Sequence, residues 1–111
     1  MSINDLIDDI NSINIEGAIT QTINKITKVN NIVVISFSGL YSSIIPSGTQ
    51  IVGTVPNKYI PHVNARATCT LLDASGNSRI GCVVVINDGR IQLNTEATDG
   101  RWLIISMSYI L

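Results

Sequence analysis

Few residues in this chain have the types and spacing that chemistry requires, and the densest group is Glu96, Asp99, Arg101 and Trp102, all within seven residues. Two carboxylates, a planar guanidinium and an indole ring suit the binding of a polyol. The ring stacks on apolar C–H faces, and the charged groups fix hydroxyls. Catalysis is harder to assemble. His62 is the only histidine, it follows Pro61, and it has no matching Ser or Cys motif with which to form a triad. An exposed or hydrogen-bonded structural role is expected for it. Glu96 with Asp99 is the only pair with glycosidase character, yet no acid, base and nucleophile come together. Phosphate-cradling glycine loops, EF-hand spacing and zinc spacing are absent from the sequence. The expectation is a protein that is not an enzyme and needs no cofactor or metal, and whose chemistry is binding through loops.

The two cysteines, Cys69 and Cys82, stand thirteen residues apart with no His or Cys at metal spacing. Two buried free thiols in strands are expected, with a disulfide between adjacent strands as the alternative. Charge narrows the partners. Charged residues make up 14% of the chain, against roughly 25% in soluble domains, and the net charge is −1. Seven basic residues are scattered without a cluster. Phosphate contacts to nucleic acid and attraction to an anionic membrane are both disfavoured. No apolar run approaches the ~18 residues of a membrane span, and Met1-Ser2-Ile3-Asn4-Asp5 lacks a signal-peptide layout. A weakly charged chain of 111 residues with 45% hydrophobic residues is expected to be one domain that hides apolar area in an oligomer.

The elements that must hold the candidate residues are mostly strands. Residues 1–17 read as a short N-terminal helix. Ser2 is its cap, Asp5 stands in the capping-box position, and Gly17 is the stop. Ile3, Leu6, Ile10 and Ile13 form an a/d stripe that is either the seam of a trimeric coiled-coil stalk or the face of a helix packed on its own domain. Beyond Gly17 the composition turns to Ile, Val and Thr, which is β composition. The segment 18–29 is compatible with helix or strand. Strand is preferred because threonines interleave with its isoleucines and Asn30-Asn31 follows as a turn. Further strands are expected over 32–38, 50–55, 62–72, 79–86, 90–94 and 101–111.

Val63, Ala65, Ala67, Cys69 and Leu71 should face inward together, and 82–86 should be buried on both faces. In the last strand Leu103, Ile105, Met107 and Tyr109 form the apolar face. Trp102 falls on the other face with Ile104, Ser106 and Ser108. That leaves core, subunit interface and ligand contact all open for Trp102. About seven short strands with turn signals between them indicate an all-β fold, an antiparallel β-sandwich of jelly-roll type over 18–111.

Four segments together resemble the C-terminal β-sandwich head domains of bacteriophage tail-fibre, upper-baseplate and receptor-binding proteins. Lys28-Val29-Asn30-Asn31-Ile32-Val33-Val34-Ile35 looks like their opening hairpin, with Asn30 in place of the usual Gly. Gly53-Thr54-Val55-Pro56-Asn57-Lys58-Tyr59-Ile60-Pro61 is similar to their Gly-Thr-Leu-Pro-x-x-Tyr-x-Pro segment, with Val55 in place of Leu. Ile86-Asn87-Asp88-Gly89-Arg90-Ile91-Gln92-Leu93 resembles their Asp-Gly-x-Ile hairpin, and Trp102-Leu103-Ile104-Ile105-Ser106-Met107-Ser108-Tyr109-Ile110-Leu111 resembles their closing strand, which ends with Ser-Tyr and two apolar residues. The resemblance covers about ninety residues. It implies a homotrimeric virion head that binds host cell-surface saccharide and joins other tail or baseplate proteins, made in the host cytoplasm. The alternative is a purely structural trimerisation module of a fibre or baseplate with no ligand. Glu96, Asp99, Arg101 and Trp102 are the candidate saccharide contacts. The competing expectation is that Arg101 pairs with Asp99 across the turn and Trp102 seals a subunit contact.

Overall fold

The computed structural model describes residues 11–111. Eight strands follow one another: β1 Asn14–Ile15, β2 Ala18–Val29, β3 Ile32–Tyr41, β4 Gly48–Thr54, β5 Ala65–Leu72, β6 Ser78–Val85, β7 Arg90–Thr95 and β8 Trp102–Ile110. They form one antiparallel sheet in the order β1-β4-β7-β6-β5-β8-β3-β2. The all-β antiparallel architecture is therefore as expected, but hydrogen bonding runs through a single curled sheet. Among the longer strands the shortest seam is β5–β8, three residue pairs long, against nine for β3–β8, and the two-residue β1 adds two pairs to β4.

The N-terminal expectation needs correction. Residues 1–10, with Ile3, Leu6 and Ile10 of the proposed seam, lie outside the described residues. From Asn11 onward the chain is extended, not helical. Asn11 exchanges backbone hydrogen bonds with Ile26 on β2 (2.9 and 2.8 Å), and Asn14 and Ile15 pair with Thr54 and Gly53 on β4. This short strap thus bridges the two outer strands of the sheet. Asn24 holds it by accepting from the Ile13 amide (2.8 Å) and donating to the Ile13 carbonyl (2.9 Å). Ile13 is 3% exposed and packs in the domain's own core. The heptad spacing misled because Ile13 and Ile15 alternate inward, which is the period of a strand. At Gly53 a Cβ would collide with the Asn14 carbonyl, so glycine there lets the strap approach β4.

The other elements follow their residues closely. Asn30 turns β2 into β3 at φ +55°, a left-handed conformation that asparagine tolerates better than most residues, where the resembling family has glycine. In β8 Leu103, Ile105, Met107 and Tyr109 are buried, and they meet Val33, Ile35 and Phe37 of β3 across the ladder. Leu71, Val83, Val85, Ile91 and Leu93 supply the opposing wall. Val63 departs from its expected place. It precedes β5 in a loop and is 79% exposed, so only Ala65 to Leu71 keep the alternation.

Both cysteines are free. Cys69 pairs with Gly81 and Cys82 with Thr68, so the two thiols point to opposite faces of the β5–β6 hairpin. A disulfide is closed off by this register. Cys69 is buried, whereas Cys82 is half-buried, which corrects the expectation of two buried thiols. Burial pushes the Cys69 thiol up to about 11. Thiol titration of the native protein at neutral pH should therefore leave Cys69 unmodified, with Cys82 reacting slowly and both reacting in denaturant. Rapid modification of two native thiols would contradict this packing.

The strand ends define two poles. One holds the turn at 30–31, the segment 55–64, the turn at 86–89 and the last residue. The other holds 16–17 and the loops 42–47, 73–77 and 96–101. The turns of the first three resembling segments and the C-terminal end of the fourth meet at the first pole. The Leu111 amide donates to Asn31 (2.7 Å), the Val55 amide to Gly89 (2.9 Å), and the Tyr109 hydroxyl to the Tyr59 carbonyl (2.7 Å). A 3-10 turn over Asn57–Tyr59 drops the Tyr59 ring into the core at 0% exposure. These segments are a structural framework. From Asn11 to Ile15 the strap runs antiparallel to β2 and β4, from this pole toward the other. The second pole faces away from it.

Candidate functional site

The second pole is built on hairpin ends. β8 continues one residue upstream of Trp102: the Arg101 amide donates to Leu72 (2.8 Å) and its carbonyl accepts from Tyr41 (2.8 Å). Trp102 therefore lies between Leu40 of β3 and Leu72 of β5 on the outward face. Its indole N–H donates to the Ser38 hydroxyl (2.6 Å), and the ring is half-buried. Leu40, Leu72 and Trp102 line the apolar side of an open cavity of about 390 Å³, and Asp73 and Arg101 stand on its polar side. A second hollow of about 330 Å³ shares Asp73, Ala74 and Arg101 and extends to Ile44 and Asp99.

Asp73 organises this rim. In the 73–77 turn its Oδ1 accepts from the amides of Ser75 and Asn77 (2.9 Å each), and its Oδ2 accepts from the Asn77 side chain (3.2 Å). The backbone N–H of Asn77 leads the effects that hold the Asp73 carboxyl below its ordinary value, and the nearby Arg79 adds to them. Arg79 Nη2 then reaches both carboxylates, Asp99 Oδ2 at 3.0 Å and Asp73 Oδ2 at 3.4 Å. This clasp ties the 73–77 turn to the 96–101 loop. A carboxyl whose folded pKa is depressed adds stability above its unfolded pKa of roughly 3.9, and loses it as pH falls through the folded value. Acid titration should therefore loosen this turn only below the ordinary carboxylate range. Backbone amide shifts of Ser75 and Asn77 would follow it, and a midpoint at or above the ordinary value would contradict the geometry.

Of the four sequence candidates, the structure brings Asp99, Arg101 and Trp102 to these adjoining hollows. Glu96 is exposed and lines neither. Arg101 does not pair with Asp99. Its Nη2 donates to the Ser42 carbonyl (3.3 Å), and Asp99 is taken by Arg79. Asp73, Arg79, Leu40 and Leu72 belong to the site and were missed. Asp73 reads as an ordinary turn residue, and Leu40 and Leu72 read as the ends of strands. Asp99 Oδ1 and Arg101 Nε are buried here without a protein partner, while Tyr41, at the end of β3, packs against the core, where burial pushes its phenol up to about 12. Among the described residues no group of three or more His, Cys, Asp or Glu could hold a metal ion.

Comparison with protein-family models finds no match, and neither does comparison with curated proteins. Comparison with solved structures does. The chain is similar to the head domain of the lactococcal phage bIL170, solved in a study of lactococcal phage receptor-binding domains. The TM-score is 0.72 at 16% sequence identity, over 93% of this chain and 97% of that one. The fold is that of a phage receptor-binding head domain. At this identity the shared framework pole is fold information, and the loop pole must be read from its own residues.

Proposed function

We propose that this chain is the receptor-binding head of a phage or prophage tail, acting in the virion as a homotrimer attached to other tail or baseplate proteins. Its ligand is host cell-surface saccharide. The curled sheet is read as two facing layers, β2-β3-β8 and β5-β6-β7-β4, in the manner of a jelly roll. The observation that carries the proposal is the loop pole, where an apolar surface of Leu40, Leu72 and Trp102 adjoins Asp73, Asp99 and Arg101 at the end opposite the framework pole. A sugar ring offers an apolar face for stacking and hydroxyls for the charged groups. A glycan array and adsorption of the labelled protein to candidate host cells test the ligand. Specific retention on a saccharide, lost on periodate treatment of the cells, is expected. Binding abolished by protease and untouched by periodate would refute a saccharide receptor.

The structural reading has its own observation. Across the outward face the register aligns Ile80, Thr70, Ile104, Ser38 and Ile23, with Ile80 77% and Ile23 46% exposed. A charge-free row of this kind suits burial against copies of the same chain. Light scattering of the wild type should give a trimer mass. Ile80→Asp should give folded monomers, because the side chain faces solvent in one copy and a buried unpaired charge opposes association. A monomeric wild type would refute the assembly for both readings.

A further inference from the structure

The two Asp-Gly steps of this chain, Asp88-Gly89 and Asp99-Gly100, differ in what holds them. Glycine after aspartate removes the Cβ that otherwise blocks the main-chain nitrogen from approaching the side-chain carboxyl. Whether that approach happens in a folded protein depends on whether the amide and the carboxylate are already engaged. At Asp88-Gly89 both are. The Gly89 amide donates to the Ile86 carbonyl at 2.8 Å, Asp88 Oδ1 accepts from the Arg90 amide at 3.0 Å, and Asp88 Oδ2 accepts from Arg90 Nε at 2.7 Å. At Asp99-Gly100 the engagement is partial. The Gly100 amide donates to no described residue, and Asp99 Oδ1 has no partner. The single tie is Asp99 Oδ2 to Arg79, a side chain that is itself 40% exposed and shared with Asp73.

We propose that Asp99-Gly100 is a site of spontaneous isoaspartate formation in the folded protein, and that Asp88-Gly89 is protected by its turn. The Asp99 carboxylate takes a proton from solvent, the Gly100 nitrogen forms a bond to Asp99 Cγ, and the carboxyl hydroxyl departs with the amide proton as water, closing a succinimide. Water then adds to either carbonyl. Opening at one regenerates aspartate; opening at the other routes the main chain through the former side chain. The net product is an isomer of unchanged mass, with one extra methylene in the backbone and the carboxylate on the α-carbon. The carboxylate leaves Arg79. Gly100 is displaced as well, although its carbonyl anchors the 42–47 loop through the Ile45 amide at 2.6 Å and its Cα lies against Leu71. Isomerisation at this one step therefore undoes the clasp between two loops of the distal pole.

Trypsin separates the two steps, since cleavage after Arg79, Arg90 and Arg101 yields peptides 80–90 and 91–101. The full chain is incubated for weeks at neutral pH and body temperature, native and in concentrated urea, then digested. Isoaspartyl-methyltransferase labelling and chromatography with mass detection quantify the isomer in each peptide. In the native protein the isomer should accumulate in 91–101 about tenfold over 80–90, since local hydrogen bonding guards only the latter. In urea both peptides should isomerise at similar rates. Asp99→Glu, which lengthens the ring to be closed, should leave native 91–101 as a single species. Equal accumulation in the two native peptides overturns the proposal. So does a native 91–101 that stays unmodified while its urea control isomerises.

Discussion

Tyr59→Ala should destabilise the domain by about 3–5 kcal/mol, the range for removing a fully buried aromatic ring. Against a total stability of roughly 5–15 kcal/mol, that removes a large part of the folded population at physiological temperature. The ring is 0% exposed, and its hydroxyl accepts from the Asn11 side chain at 2.8 Å, so it supports both the core and the strap that bridges β2 and β4. Its carbonyl accepts the Tyr109 hydroxyl, whose phenol burial pushes up. Tyr59→Phe keeps the ring and loses the Asn11 bond, a loss of about 1 kcal/mol for that bond. Tyr109→Phe leaves the buried Tyr59 carbonyl without its side-chain donor and should fall between the two, at about 1–3 kcal/mol. Denaturant unfolding measures all three. Equal, small losses for Tyr59→Ala and Tyr59→Phe would mean that this ring is not the keystone of the framework pole.

The same pole explains what the sequence disclosed. Strand periodicity was legible in β8 because one face is core and the other is not: Leu103, Ile105, Met107 and Tyr109 against Ser106 and Ser108. The turns at Asn30-Asn31 and Asp88-Gly89 were legible because few residues tolerate left-handed backbone there. The family resemblance rested on these turns and on Tyr59 and Tyr109, which meet in space although 50 residues separate them. The strap was not legible. Ile13 falls on the helical stripe and also alternates with Ile15, and the slot between β2 and β4 decides for the strand. The loop pole was half legible. Asp99, Arg101 and Trp102 are near in sequence, but Asp73 and Arg79 join them through the β5–β6 hairpin, a long-range relation that composition does not carry. The expected Arg101–Asp99 pair fails for the same reason, since Arg79 arrives from another hairpin.

Trp102→Ala is the sharpest test of the loop pole, because the three roles open to this residue now predict different outcomes. A core role is largely removed by its half-buried state on the outward face, so the monomer should lose only a modest part of its stability, about 1–2 kcal/mol for partial burial and the bond to Ser38. If Trp102 is the stacking surface, the variant stays assembled and its retention on the saccharide falls by at least about tenfold, the equivalent of 1.4 kcal/mol. Trp102→Phe should then recover part of the binding, since a ring face remains without the indole donor. If Trp102 seals a subunit contact, scattering mass falls together with melting temperature, and phenylalanine restores both. Arg101→Lys sharpens the reading further. It preserves charge but loses the planar fork, so a ligand held by the guanidinium in two-point fashion weakens, while a structural contact through the Ser42 carbonyl is largely kept. A Trp102→Ala variant that remains assembled and binds as well as the wild type would remove this pole as the receptor site and turn attention to the outward row through Ile104.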